Sequence, residues 1–267
     1  MFNFIDVQYE NFALKFLKSD IFDESLVNFF STRIGGDTPI PLQSFTLSAK
    51  DFTEYDSFAK KNLKIVCDIL GSPYENLIMP NQQHTDKIAV IKNSADILAL
   101  RKEPFDGVVT NLKNFPVCLV FADCVPVLIY DKKQKAFAAV HAGWKGTAKS
   151  IAARAVKIMQ TEFGSDVSDI VAAIGAAICQ NCFEVNFDVS RQLAMSIKNP
   201  CGNIFIEREG KVHVDLKILN KIQLNESGVK NVDICRYCTC CANDIFYSYR
   251  ADNKLTGRHG LVVMIKE

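Results

Sequence analysis

The sequence lacks an excess of charge of either sign. Its 267 residues carry 31 Lys and Arg against 30 Asp and Glu, a formal net charge of +1. That balance argues against nucleic acid as the main partner, because phosphate backbones are held by a basic excess. A small anionic or nucleoside substrate stays open. Long apolar runs are also missing. The longest, residues 115–130, is interrupted by Asp123 and Pro126 and is shorter than the ~20 residues a bilayer requires. The first ten residues have no basic region and carry Asp6 where a signal peptide would be apolar. A cytoplasmic location and no membrane partner are therefore expected. No repeat, low-complexity tract or linker divides the chain, and residues 1–267 are expected to form one domain. At 48% hydrophobic and 23% charged residues, the composition is that of a folded chain rather than a disordered one.

Histidine is scarce, with four in the chain: His84, His141, His213 and His259. The H-x-E signature of the familiar zinc deaminases is absent, and so is the G-x-x-x-x-G-K-[ST] spacing of a P-loop. Cysteine, in contrast, is plentiful, with ten residues. In a reducing cytosol disulfides are excluded, and most of the thiols are expected to serve as small buried hydrophobes.

Periodicity predicts a helix over Ser48 to Leu70, capped by Ser48 with Asp51 three residues on and stopped at Gly71-Ser72-Pro73. Residues 77–87 read as a loop and 87–92 as a strand. Two apolar runs, 115–122 and 125–130, read as strands broken at Asp123-Cys124. A turn at 131–134 then joins the second to a strand at 136–140. The Gly-rich link 141–146 leads to a helix capped by Thr147 and ending near Phe163. Further on, 169–174, 229–235, 245–249 and 260–265 are expected as strands. Residues 185–197 and 215–224 are expected as helices, stopped at Pro200 and Gly228. An antiparallel pair within mixed elements predicts an α+β fold, a mixed sheet packed with helices.

Two histidines fall in loops or at strand ends, where sites usually lie: His84 in Asn81-Gln82-Gln83-His84-Thr85-Asp86, and His141 where a strand enters the Gly-rich link. Cys124 breaks the apolar pair beside Asp123. A carboxylate there is costly unless it is paired or hydrogen-bonded. Two imidazoles and one thiolate, with a fourth position open, make a catalytic zinc set. The spacing of forty and then seventeen positions matches no compact metal motif, and the residues also fit a surface His84 and a hydrogen-bonded core His141. A second reading makes Cys124 a nucleophile with His141 as its base, which requires only spatial adjacency. Cys179-x-x-Cys182 and Cys235-x-x-Cys238-x-Cys240-Cys241 could together build a structural zinc site. Their separation exceeds fifty residues, so reduced, partly buried thiols are the expectation. Arg33, before Gly35-Gly36, and Arg258, in Thr256-Gly257-Arg258-His259-Gly260, place guanidinium groups in loops where they could hold phosphate.

These segments, in this order, resemble the YfiH-like family, long labelled polyphenol oxidase or laccase-domain and later recognised as purine nucleoside phosphorylases. The matching pieces are Ser31-Thr32-Arg33-x-Gly35-Gly36, Gln83-His84-Thr85-Asp86, Asp106-Gly107-Val108-Val109-Thr110, Ala122-Asp123-Cys124-Val125-Pro126-Val127, Val140-His141-Ala142-Gly143-Trp144, Cys182-Phe183-Glu184-Val185, Cys238-Thr239, and Phe246-Tyr247-Ser248-Tyr249-Arg250 with Thr256-Gly257-Arg258. The resemblance implies zinc on His84, Cys124 and His141. It also implies phosphorolysis of adenosine, inosine and methylthioadenosine, with adenosine deamination beside it. The chain departs from the family pattern at Gly175-Ala176, where Gly-Pro is frequent, and at Phe183, where Tyr is frequent. A laccase reading fits the residues poorly, since a multicopper oxidase needs many more histidines than four. Within the zinc reading, Asp123 is the candidate acid/base, and Arg33 and Arg258 are the candidate phosphate holders. Two other classes stand beside it: a Cys124–His141 hydrolase, such as an amidase editing peptidoglycan precursors, and a non-catalytic zinc-binding protein. Oligomeric state and the roles of Cys179, Cys182, Cys235, Cys238, Cys240 and Cys241 are left open.

Overall fold

The computed structural model describes residues 1–50, 52–198 and 203–266. The chain opens with three antiparallel strands, β1 (Phe2–Tyr9), β2 (Phe12–Ser19) and β3 (Leu26–Ser31), followed by helix α1 (Asp56–Leu70). Then come β4 (Ile88–Ile91), β5 (Gly107–Thr110), β6 (Val117–Phe121), β7 (Val125–Asp131) and β8 (Ala136–Ala142). Helices α2 (Trp144–Ala148) and α3 (Ile151–Phe163) precede β9 (Ile170–Ile174). The remainder is β10 (Glu184–Val185), α4 (Phe187–Ala194), β11 (Phe205–Arg208), β12 (Lys211–Val214), α5 (Leu216–Glu226), β13 (Asn231–Ile234) and β14 (His259–Ile265).

Two large sheets stack face to face. One has five strands in the order β1-β2-β3-β14-β6, and the other six in the order β13-β9-β7-β8-β5-β4. β4–β5 and β9–β13 are parallel while the pairs around β7 and β8 are antiparallel, so the second sheet is mixed, as the α+β reading requires. The alternation of side chains along a strand decides the layers. Val127 and Ile129 of β7 face Ile151, Ala155 and Met159 of α3 and Leu219 of α5. Leu128 and Tyr130, one residue out of step, face Phe30, Phe121, Leu261 and Val263 of the five-stranded sheet. That sheet's outer face, with Phe16, Phe29, Val262 and Met264, receives Leu63, Val66 and Leu70 of α1. The order is helix, sheet, sheet, helix. All seven residues of β7 are buried, which is why this stretch reads as a continuous apolar run.

The hairpin at 131–134 forms as expected. Asp131 turns its carboxylate back to accept from the amides of Lys133 (2.8 Å) and Gln134 (3.0 Å), an Asx-type turn. Other expectations need correction. The helix read from Ser48 begins at Asp56, after a short 3-10 turn at Thr53–Tyr55. Asp51 and Pro200 lie outside the described residues. The helix read from Thr147 to Phe163 is two helices, because Ser150 adopts a left-handed φ of 55°. Thr147 sits inside α2, its hydroxyl donating to the Ala142 carbonyl and accepting from Asn220. Residues 245–249 are turns, not a strand: Phe246 N donates to Ala242 O, and the Tyr247 hydroxyl donates to Leu42 O. Among the described residues no helix is long and apolar enough to cross a membrane.

Candidate metal centre

The two sheets exchange the chain at the site. β6 ends the run in one sheet and β7 begins it in the other, and Ala122-Asp123-Cys124 makes the crossing. To turn there, Asp123 takes a φ of 85°, a left-handed conformation that Asp tolerates better than most residues. Its carboxylate accepts from the Thr239 hydroxyl (2.6 Å) and the Arg250 amide (2.8 Å), and its carbonyl accepts from Ile178 N. This resolves the cost of a carboxylate between apolar runs. It also commits both carboxylate oxygens, so the geometry favours a positioning role over the expected acid/base role.

His84, Cys124 and His141, far apart in sequence, come together with their ligand atoms within 4.8 Å of one another. Cys124 Sγ is 3.7 Å from His84 Nε2. A tetrahedral ion with Zn–S near 2.3 Å and Zn–N near 2.0–2.1 Å sets this edge at about 3.6 Å, so the donors fit such an ion. His141 lies at the end of β8, and its Nδ1 donates to Asp106 Oδ1 at 2.7 Å, which leaves Nε2 as the ligand atom. His84 has a left-handed φ of 58°. Its loop is held by Asp106, which accepts from Gln83 N (3.2 Å), His84 N (3.0 Å), Thr85 N (2.6 Å) and Thr85 Oγ1 (2.8 Å). One buried carboxylate thus orients both histidines. In sequence Asp106 stands in Asp106-Gly107-Val108-Val109-Thr110 with no role assigned to it. The available signal was a charged residue opening the apolar run 107–110. Gly143, on the turn after β8, is a close-approach glycine. A Cβ there would lie 3.0 Å from His84 Cδ2 and 3.1 Å from Cys124 Sγ.

The charges follow from this packing. Burial works against the charged form of Cys124, yet His141 and His84 beside it pull the thiol down to about 6. Burial likewise opposes charge on His141, but the Cys124 thiolate and Asp106 raise it to about 9. Burial would lift Asp106, and the His141 and Thr85 hydrogen bonds instead hold it down at about 2. Without metal, the group is a thiolate beside an imidazolium steered by a carboxylate.

The trio floors a cavity of about 460 Å³ whose wall includes Lys50, Asp123, Phe183, Tyr249, Arg250 and Arg258. Arg258 is there as expected, its guanidinium 5.9 Å from the Tyr249 ring centre and donating to the Thr256 and Gly257 carbonyls. Arg250 was missed. It donates to the Cys182 carbonyl at 2.7 Å. Arg33 is not on this wall. It lines a different cavity with Gln43, Asn243 and Asp252, donates to Asn243 O at 2.7 Å, pairs with Asp252 at 3.6 Å and stacks on Tyr247 at 4.8 Å. Its cation is consumed in joining the 33–44 loop to the 243–252 loop, so it leaves the phosphate assignment. His213 and His259 also lie apart: His213 donates to Gln180 O, and His259 is buried against Phe121 and Phe246.

Comparison with known proteins agrees with this architecture. Residues 27–266 match the family model described as multi-copper polyphenol oxidoreductase laccase. The purine nucleoside phosphorylase YlmD of Bacillus subtilis is 30% identical over 248 residues, covering 89% of this chain and 88% of that protein. The adenosine deaminase RL5 of an unknown prokaryotic organism is 33% identical over 198 residues, covering 71% and 75%. The crystal structure of the Bacillus licheniformis hypothetical protein YfiH superposes with a TM-score of 0.86 at 29% identity, covering 97% of this chain and all of that one. The extent of the family match and the shared fold establish that the chain belongs to this laccase-like, YfiH-type family.

Proposed function

We propose that the chain is a zinc-dependent purine nucleoside phosphorylase acting on adenosine, inosine and S-methyl-5'-thioadenosine, with adenosine deamination as a side activity. The observation that carries this reading is the His84–Cys124–His141 cluster at the floor of a cavity that also presents three cationic side chains, Lys50, Arg250 and Arg258. The names of the relatives, phosphorylase for one and adenosine deaminase for the other, support the substrate class. One thiolate and two imidazoles favour zinc. The four histidines of the chain are too few for a multicopper centre.

A zinc ion held here supplies Lewis acidity on the open side of the cluster. The chain's own groups do the rest. Asp106 fixes His141 in the tautomer that leaves Nε2 unprotonated and holds the His84 loop in place. Arg250, Arg258 and Lys50 draw a phosphate dianion to the wall, where it can approach the ribose C1' as the bond to the purine breaks. Phe183 and Tyr249 offer ring faces for a flat base. Asp123 fixes the backbone of Arg250 and so the position of that cation. We place these roles in a single catalytic domain with small-molecule substrates and a cytoplasmic setting.

A second reading rests on a specific feature. The lowered Cys124 thiol, His141 and Asp106 stand in the nucleophile–base–orienting order of a cysteine hydrolase. Such an enzyme has no use for His84 or for metal. The experiment is base release from adenosine and inosine with and without phosphate, before and after chelation. The phosphorylase reading expects release that requires phosphate and is lost on chelation. Phosphate-independent hydrolysis that survives chelation overturns it in favour of the hydrolase.

A further inference from the structure

A second cluster of soft ligands stands apart from the His84–Cys124–His141 trio. Cys179 precedes and Cys182 ends a 3-10 turn, and Cys238 and Cys241 bracket a turn after β13, Cys238 lying 56 positions beyond Cys182. The fold brings all four sulfurs within 4.8 Å of one another. The pairing differs from the sequence expectation, in which Cys235 and Cys238 formed the second C-x-x-C. Cys235 is instead buried, its sulfur accepting from Tyr237 N at 3.4 Å.

The geometry is that of a tetrathiolate site. Cys179 and Cys241 sulfurs are 4.0 Å apart and Cys182 and Cys241 sulfurs 3.5 Å apart. With Zn–S near 2.3 Å, the edge of a regular tetrahedron is about 3.8 Å. Both C-x-x-C segments make the tight turn such ligands need: Cys182 N donates to Cys179 O at 3.1 Å, and Ala242 N to Cys238 O at 2.9 Å. Backbone amides also point at sulfur. Cys179 N and Cys241 N lie 3.2 Å and 3.4 Å from Cys238 Sγ, an arrangement that satisfies a thiolate rather than a neutral thiol. All four are free cysteines, and Cys241 is exposed, which leaves an entry path for an ion. Four thiolates with no open position suit a closed structural site for zinc, not a catalytic one.

We infer that Cys179, Cys182, Cys238 and Cys241 bind one structural zinc ion that ties together two loops of the cavity wall. Ile178 and Phe183, which line the cavity, adjoin Cys179 and Cys182, and Thr239, which holds Asp123, adjoins Cys238. Arg250 donates to the Cys182 carbonyl. The ion therefore sets the wall without touching substrate. Because it uses none of the trio, it stands or falls independently of the phosphorylase reading.

The test is metal content of the full chain purified under reducing conditions, with mass-spectrometric counting of zinc and iron. The wild type should hold two zinc ions, His84→Ala one, and the Cys179→Ser/Cys182→Ser double variant one. That double variant should also melt at lower temperature. Should it fail to fold, X-ray absorption at the zinc edge of unmodified protein decides. Two loaded sites average between two and three sulfurs per zinc, whereas the trio alone gives one. Loss of all zinc in His84→Ala, iron in the four-cysteine site, or a disulfide among the four thiols in place of metal overturns the inference.

Discussion

Replacing Asp106 with Asn should disable the trio without touching any of its ligands. The side chain keeps its volume but exchanges one acceptor oxygen for an NH2 donor. Asp106 Oδ1 accepts from His141 Nδ1 and His84 N, and Oδ2 from Gln83 N, Thr85 N and Thr85 Oγ1. If the Asn oxygen takes the Oδ2 side, its NH2 faces His141, which then accepts at Nδ1 and carries its proton on Nε2, the ligand atom. If the oxygen takes the other side, the NH2 opposes the Gln83 and Thr85 amides and the His84 loop is released. In the first case one partly buried donor, His84 N, loses its acceptor, and in the second two do, Gln83 N and Thr85 N, at about 1–3 kcal/mol each. The chelated protein should lose about 1–6 kcal/mol in urea unfolding. Loss of a group that orients a metal ligand costs about 10–100-fold in metal affinity, and zinc competition titration should read a loss of at least that size. An Asp106→Asn protein with unchanged zinc affinity and unchanged stability would refute the role given to this carboxylate.

Gly143→Ala places a methyl 3.0 Å from His84 Cδ2 and 3.1 Å from Cys124 Sγ, so zinc counting on the folded variant should show a depleted trio. Arg258→Ala should raise the KM for phosphate about 10–100-fold, the worth of a charged hydrogen bond. Arg33→Ala, in contrast, should lower the melting temperature and leave that KM within about twofold, as steady-state kinetics on both variants would show. Burial and the charges of Arg258 and Arg33 push His259 down to about 3, and neither ring nitrogen has a hydrogen-bond partner among the described residues. Its folded pKa lies below that of the unfolded chain, so this stability is complete above about pH 6.5 and lost as pH falls toward 3. Between pH 7 and pH 5 the loss is about 2 kcal/mol, and urea melts of His259→Leu should lack that share of the slope.

The sequence made the centre of the molecule legible because period and burial coincide there. Residues 117–142 alternate between two buried faces, and the Asx turn at Asp131 marks the hairpin. The trio could be named because Cys124 interrupts and His141 ends such a run, while His84 sits in a polar loop just before a strand. The Ser150 break was hidden because helical stretches run on either side of it, Trp144–Ala148 and Ile151–Phe163, and Ser150 itself gives no sign of a left-handed conformation. Residues 245–249 carry the aromatics of a strand, but Phe246 and Tyr247 spend them on core packing from a turn. The three N-terminal strands escaped notice because both faces of their sheet carry apolar side chains, Leu17 and Phe30 on one and Leu14, Phe16 and Phe29 on the other, so apolar and polar residues do not simply alternate. Arg33 and Arg258 looked alike in sequence. What separates them is Asn243 and Asp252, brought to Arg33 by contacts more than two hundred residues long in sequence.

In the function proposed above, His84, Cys124 and His141 hold the metal on which nucleoside turnover depends. This dependence is tested most directly by measuring bound zinc and phosphate-dependent release of adenine from adenosine, side by side, on the wild type and on His84→Ala. His84→Ala should lose the zinc of the trio and the turnover together. A His84→Ala protein that has lost that zinc and still turns over substrate at the wild-type rate would contradict it.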